Sequence, residues 1–455
     1  MKIDIEEQER ERMPLERNFD RIISPLQSFL QSQSSAGMLL LIATFIALFM
    51  ANSQWQETYT WLTEYHVGFI WGEGYIIHSA VEWVNEGLIV LFFFLLGLEI
   101  KYQVLAGELQ DTKSSMLAIF MAVGGMVIPA LTYLAIMTLM AGDSWQGWGI
   151  PMATDTAFAI GLLVLLGRRV PTSVLVLITA LAIVDDMGAV LIISFFYTDS
   201  VSLLQLGYGA ITLSLMVLAN FLGIRWAWFY LFAGLVLWWF VSHSGVHATT
   251  AGILAALTVP AKPYADTHWF ARNMERLVSR FKRMDSNDTT ILEQQQQHDL
   301  AEAAEDIAIT ATTPVQRWQS KLSKPISLLV LPLFALLNAG VIMPDNSASM
   351  GSATVFWATM LGLLVGKPLG IFFFAYFAIK LGFAQKPKDM IWRDVIALGC
   401  FAGIGFTMSL FIANLAFSGA ADSLAHAKLG ILAGSLLSAV LGFCLFLSKS
   451  KTELK

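Results

Sequence analysis

A chain of 455 residues that is 56% hydrophobic and only 14% charged, with mean hydropathy +0.63, is too apolar to be a string of soluble domains. The net charge of −6 spans two solvent compartments and points to no nucleic-acid partner. Two cysteines, Cys400 and Cys444, each inside an apolar run, exclude a disulfide framework and a Cys-based metal site; no cofactor is expected.

In chain order, residues 1–35 form a polar arm without a cleavable signal pattern, so the first apolar run stays as an anchor. Twelve runs follow: 36–52, 77–98, 115–140, 149–167, 172–197, 202–223, 225–242, 246–259, 325–344, 355–380, 394–417 and 427–447. Crossing a bilayer takes ~20 apolar residues. The eighth run is short, which predicts a tilted, reentrant or deeply packed segment. The chain divides into spans 36–259, a 260–324 loop, spans 325–447 and a tail, 448–455. The loop holds a glutamine run, Gln294 to Gln297, and an acidic, Ala-rich stretch around Glu302 to Asp306, which reads as a solvated linker with one short helix. Asn287-Asp288-Thr289 matches a glycosylation acceptor but falls in this loop and carries no weight.

Of the 28 Lys and Arg, all but Lys367 and Lys428 fall in alternate loops, and the intervening loops contain none. Basic residues collect on the cytoplasmic side. Twelve spans with both termini in the cytoplasm follow. The expectation is an all-α polytopic membrane protein.

Ionisable groups inside the runs cost at least ~2.5–3.5 kcal/mol each at bilayer depth. Asp185 and Asp186 sit together in span five, Asp155 in span four and Lys367 in span ten. Such groups must pair, share protons or meet a cation. Span four also has Pro151 and the polar triplet Thr154-Asp155-Thr156, and span eleven has Gly399, Gly403 and Gly405 before Thr407 and Ser409. Both read as interrupted helices, although close packing through small residues would also explain the glycines. Consecutive helical residues point about 100° apart. One aspartate can therefore face an aqueous cavity while the other faces a neighbour, and Lys367 is the partner at hand. A carboxylate takes either a proton or a hard monovalent cation, and competition for one site is the core of an antiporter. A purely structural ion network remains the alternative. His243 and His247 flank an outer Ser-Gly turn, where hydrogen-bonding histidines are commoner than sensors; Glu82 and Glu86 lie one turn apart near an entrance.

The strings 153–159 (Ala-Thr-Asp-Thr-Ala-Phe-Ala), 180–189 around Asp185-Asp186, 244–249 (Ser-Gly-Val-His-Ala-Thr), 366–371 (Gly-Lys-Pro-Leu-Gly-Ile) and 403–409 resemble the bacterial Na⁺/H⁺ antiporters of the NhaA type, in family order. The resemblance implies inverted repeats with spans four and eleven crossing at a midplane site, a rule for transporters that itself draws on this family. It implies Asp186 as the principal Na⁺ and proton ligand and Asp185 as its partner. Asp155 and Lys367 would balance the half-helix ends, and Thr154 would add an oxygen. Glu99 and His247 are candidates for the pH response. It further implies electrogenic exchange of Na⁺ or Li⁺ for H⁺ in the bacterial inner membrane, with Na⁺ and pH homeostasis as its use. A homodimer through the 53–76 segment is also implied. Two features depart from the family pattern: Gln103 stands where a second acid is frequent, and the 260–324 loop is longer. A Na⁺-coupled organic solute symporter would use a similar crossover, but with more Asn, Gln, Ser and Thr and no need for an Asp pair with a Lys. A channel would need a filter-like motif, which is lacking.

Overall fold

The computed structural model describes residues 33–71, 74–107, 112–198, 201–284, 295–342 and 350–448. The polar arm through residue 32, the Asn287 acceptor, Gln294 and the tail beyond 448 lie outside them. Among the described residues are eight helices long and apolar enough to cross a membrane, two bent helix pairs that pass the same test together, and two shorter apolar helices. Side chains such as Phe221, 85% exposed, and Phe195, 78% exposed, need lipid as their solvent. This is a multi-pass membrane protein.

The chain opens with α1 (Gln33–Ala51), bent by 115° into the amphipathic α2 (Gln56–Glu64). The candidate spans are all helical, as expected, and one element is added to them next. His66–Trp71 (β1) and Gly74–Ser79 (β2) pair antiparallel, with His66 opposite Ser79. β-branched and aromatic residues on either side of a Gly-containing turn favour a hairpin over the start of a helix. The second span therefore begins later than expected and runs longer, as α3 (Ala80–Ala106), opened by a capping box between Ser79 and Glu82.

Then come α4 (Thr112–Leu139), a 3₁₀ segment (Trp145–Met152) leading into α5 (Thr156–Leu165), and α6 (Thr172–Phe196). They are followed by α7 (Leu203–Phe221), α8 (Ala227–Ser242) and the short, largely buried α9 (Ala248–Thr258). The 260–324 segment differs from the expected linker. It carries two helices packed on each other, the basic α10 (Thr267–Met284) and the acidic α11 (Gln295–Ala311), and then the first turns of α12 (Pro314–Asn338). The last elements are α13 (Ala353–Lys380), α14 (Trp392–Ala402), α15 (Phe406–Ala416) and α16 (Ala421–Leu447). Three of these helices contain a π turn, at Trp83–Leu88, Ile326–Val330 and Gly362–Gly366.

Two bundles form. In one, α4, α6, α13, α14 and α16 pack around the broken spans; in the other, α3 packs on α9 and α12, and α8 on α7 and α9. Helix α1 touches both, through α5 and α12. Helices α4 and α13 approach closely because Gly124 and Gly370 face each other, and a Cβ on either would strike the other's backbone. In hydrocarbon such backbone proximity, rather than the hydrophobic effect, drives helix association.

Candidate ion site at the crossing of the broken spans

The break in the fourth span leaves residues 153–155 without helical hydrogen bonds between the 3₁₀ segment and α5. The break in the eleventh, at 403–405, bends α14 against α15 by 49°. Each break frees backbone donors and acceptors that no water in the bilayer core would satisfy. The two breaks satisfy each other. The Asp155 N–H donates to the Ile404 carbonyl at 2.6 Å. A Cβ on Gly405 would come within 3.0 Å of the Ala153 carbonyl, so glycine is what lets the two backbones cross.

Two helix N-termini meet here, and one carboxylate serves both. Asp155 is the N-cap of α5, its Oδ1 accepting from Phe158 N–H at 3.1 Å. Its Oδ2 accepts from the N–H and hydroxyl of Thr407, at 3.1 and 2.7 Å, and so caps α15 as well. A negative group at two positive helix ends is favoured by the macrodipoles. The opposite ends are met by donors. The Lys367 ammonium donates to the Met152 carbonyl, which ends the 3₁₀ segment. The Thr154 hydroxyl lies 3.0 Å from the Ala402 carbonyl, which ends α14.

Lys367 also ion-pairs with Asp185, Nζ to Oδ2 at 2.7 Å, with both side chains fully buried. Thr154 Oγ1 lies 2.6 Å from the same Oδ2. Asp186, one residue on, is turned elsewhere. It is 6% exposed and sits at the floor of a cavity of about 180 Å³ with Thr154, Asp155, Thr156, Glu99 and Ser323 in its wall. The cavity is lined from Phe92 to Ile100 on α3 and from Ser323 to Leu331 on α12. Asp185 Oδ1, Asp186 Oδ1 and Thr156 Oγ1 are buried and have no hydrogen-bond partner among the described residues. Unpartnered buried oxygens of this kind are what a small hard cation or a proton would satisfy.

Comparison with known proteins agrees with the geometry. The family model described as "Na+/H+ antiporter 1" matches residues 27–446. The chain belongs to this family. It is 50% identical over 443 residues to Na(+)/H(+) antiporter NhaA 1 of Pseudoalteromonas atlantica, covering 97% of this chain and 94% of that protein. It is 40% identical to the NhaA of Sulfurimonas denitrificans over 94% of this chain and 96% of that one. It is 39% identical to NhaA 1 of Saccharophagus degradans over 94% and 92%. This is a transporter family, not an enzyme family.

The structure gathers Asp155, Asp185, Asp186, Lys367 and Thr154 into one place and brings Glu99 to the same cavity. His247 is not among them. Its Nε2 lies 2.5 Å from the Tyr197 carbonyl, at a separate cavity of about 390 Å³ that also takes in Glu82 and Glu86. Sequence reasoning passed over the roles of Thr407, which presents both its N–H and its hydroxyl to Asp155, and of Thr156. Both were visible only as polar residues in apolar runs.

Proposed function

We propose that the protein exchanges cytoplasmic Na⁺ or Li⁺ for external protons across the bacterial inner membrane, electrogenically, in support of Na⁺ and pH homeostasis. Its helices are read as twelve crossings in inverted repeats, with both termini in the cytoplasm. The observation that carries the reading is Asp186, a buried carboxylate whose Oδ1 has no hydrogen-bond partner among the described residues, at the floor of the inner cavity, beside Asp185. Asp186 takes the cation or the proton. Asp185 turns its free oxygen to the same cation, and Thr154 lies within reach to add another. Lys367 and Asp155 hold the helix ends while the occupant changes, and Glu99 tunes the cavity to pH.

The charge balance follows from the pairing. A cation bridging Asp186 and Asp185 displaces the proton on Asp186 and competes with Lys367 for Asp185. A lysine that loses its buried counter-ion is driven to give up its own proton. Two protons then move against one Na⁺, which leaves one net charge transferred per cycle.

The test is fluorescence recovery in everted membrane vesicles. Adding Na⁺ without any organic solute should collapse a preformed pH gradient, and the double variant Asp185→Asn, Lys367→Gln should carry less current per Na⁺ on a solid-supported membrane. A gradient that collapses only with an organic solute present would overturn the antiport reading.

A further inference from the structure

The inner cavity, at Asp186, and the outer one, at His247, share no lining residue. Phe93, Phe334 and Phe411, all essentially buried, lie between them, with ring centroids 5.6 Å apart for Phe93 and Phe411 and 6.4 Å for Phe334 and Phe411. On α15 the separation is one turn, since Met408 lines the inner cavity and Phe411 the outer. These ring contacts join α15 to α3 and α12, so parting α15 from those two helices would open the plug.

What holds those three helices together at the plug is a set of amides. Asn338, the last residue of α12, is 1% exposed and uses its full hydrogen-bonding capacity. Its Oδ1 accepts from Asn85 Nδ2 at 3.0 Å and from Asn414 Nδ2 at 2.8 Å; its Nδ2 donates to Asn85 Oδ1 and the Phe334 carbonyl, both at 2.9 Å. Asn85 and Asn338 stand on α3 and α12 of one bundle, whereas Asn414 stands on α15 at the crossing. Within this net, among the described residues, the bond from Asn414 is the one that joins α15 to the other two.

We propose that these asparagines form the latch of the outer gate. Asn85 orients the Asn338 amide, and Asn414 is the member that departs when the outer side opens. They are positioning residues and do not touch the ion. The latch suits a step that must reverse in every cycle. Asn85 and Asn414 already line the outer cavity, so water entering there can replace the broken bond. An amide net is also uncharged at any working pH, so the latch would not itself respond to protons. The inference rests on the transport reading, but its test does not need transport.

The experiment places a cysteine at the inner cavity, Met408→Cys, in the full-length Cys400→Ser, Cys444→Ser protein. Labelling by a small membrane-impermeant thiol reagent is followed from the outside of cells and from the inside, using everted vesicles. With the latch intact the label should enter from the cytoplasmic side. Asn414→Leu should raise the outer rate about fivefold, the worth of one net hydrogen bond, and lower the inner rate, because population moves between two states. Asn85→Ala should shift both rates the same way by less, and Asn414→Gln, which keeps an amide, should fall nearer the parent. Rates that rise on both sides would mean general loosening and would overturn the latch, as would rates that do not move. A chain that shifts sides but fails to exchange Na⁺ for protons would overturn the transport reading and leave the latch standing.

Discussion

Asp155 and Asp186 are both buried aspartates of the same broken-span region, and the protein treats them in opposite ways. Asp155 accepts three hydrogen bonds and caps two helices, so its charge is used up in holding the crossing. Asp186 accepts none at Oδ1 and faces a cavity. A charge at membrane depth therefore does not by itself mark the carrier; whether the fold has already satisfied it does. The crossing should be sensitive in stability, and the cavity floor in transport.

Asp186→Asn breaks or supports that division most directly. Exchange should vanish in vesicle assays, while the thermal midpoint of the purified protein holds or rises, since no protein hydrogen bond is lost. A fall in midpoint as large as that of an Asp155 variant would erase the contrast.

Lys367→Ala comes next. Removing one member of a buried ion pair costs about 3–5 kcal/mol, because the other charge is stranded. Thermal melts should show that Asp185→Asn, Lys367→Gln loses less than Lys367→Ala alone, the non-additivity expected of a pair in contact. If the two losses simply add, the pair is not coupled.

Asp155→Ala removes two caps, worth about 1 kcal/mol each. The melt should fall accordingly, and Asp155→Asn, which can still accept at one oxygen, should lose less. Equal losses from Ala and Asn would show that the hydrogen bonds to Thr407 carry little.

The smallest effect lies outside the membrane. Ser173, through its hydroxyl at 2.7 Å and its N–H, holds Asp389 below the usual carboxylate range. A depressed carboxylate contributes stability that is present above its ordinary pKa and lost as pH falls through the lowered one. The midpoint difference between Ser173→Ala and the parent should thus be slight at neutral pH and absent in strong acid. A difference that grows on acidification would reverse the sign and refute the assignment.

Much of the site was legible because charge in an apolar run is expensive. Asp155, Asp185, Asp186 and Lys367 stand out from their neighbours by that cost alone. Their division of labour was not legible, since it depends on partners such as Thr407 that are far along the chain. The amide net was hidden for the same reason. Asn85, Asn338 and Asn414 lie far apart along the chain, and the fold brings them together. The hairpin was missed because Ile77, His78 and Ser79, the end of its second strand, were absorbed into the apolar run that starts at 77. The helical pair α10–α11 was missed because the segment was read by its composition, whereas Phe270, Met274, Leu277 and Phe281 recur with a helical period.

The π turn at Gly362–Gly366 ends at the residue before Lys367. A π turn is in effect a single-residue insertion into an α-helix. Closing it by deleting one residue would swing Lys367 about 100° relative to the preceding part of α13. Its ammonium would then turn away from Asp185 or drag the rest of the helix out of its packing against α4. Residue count in that one turn is therefore part of what this site requires. A single-codon deletion there would cost the site its Lys367–Asp185 pair as surely as removing the lysine, although every ionisable group would still be encoded.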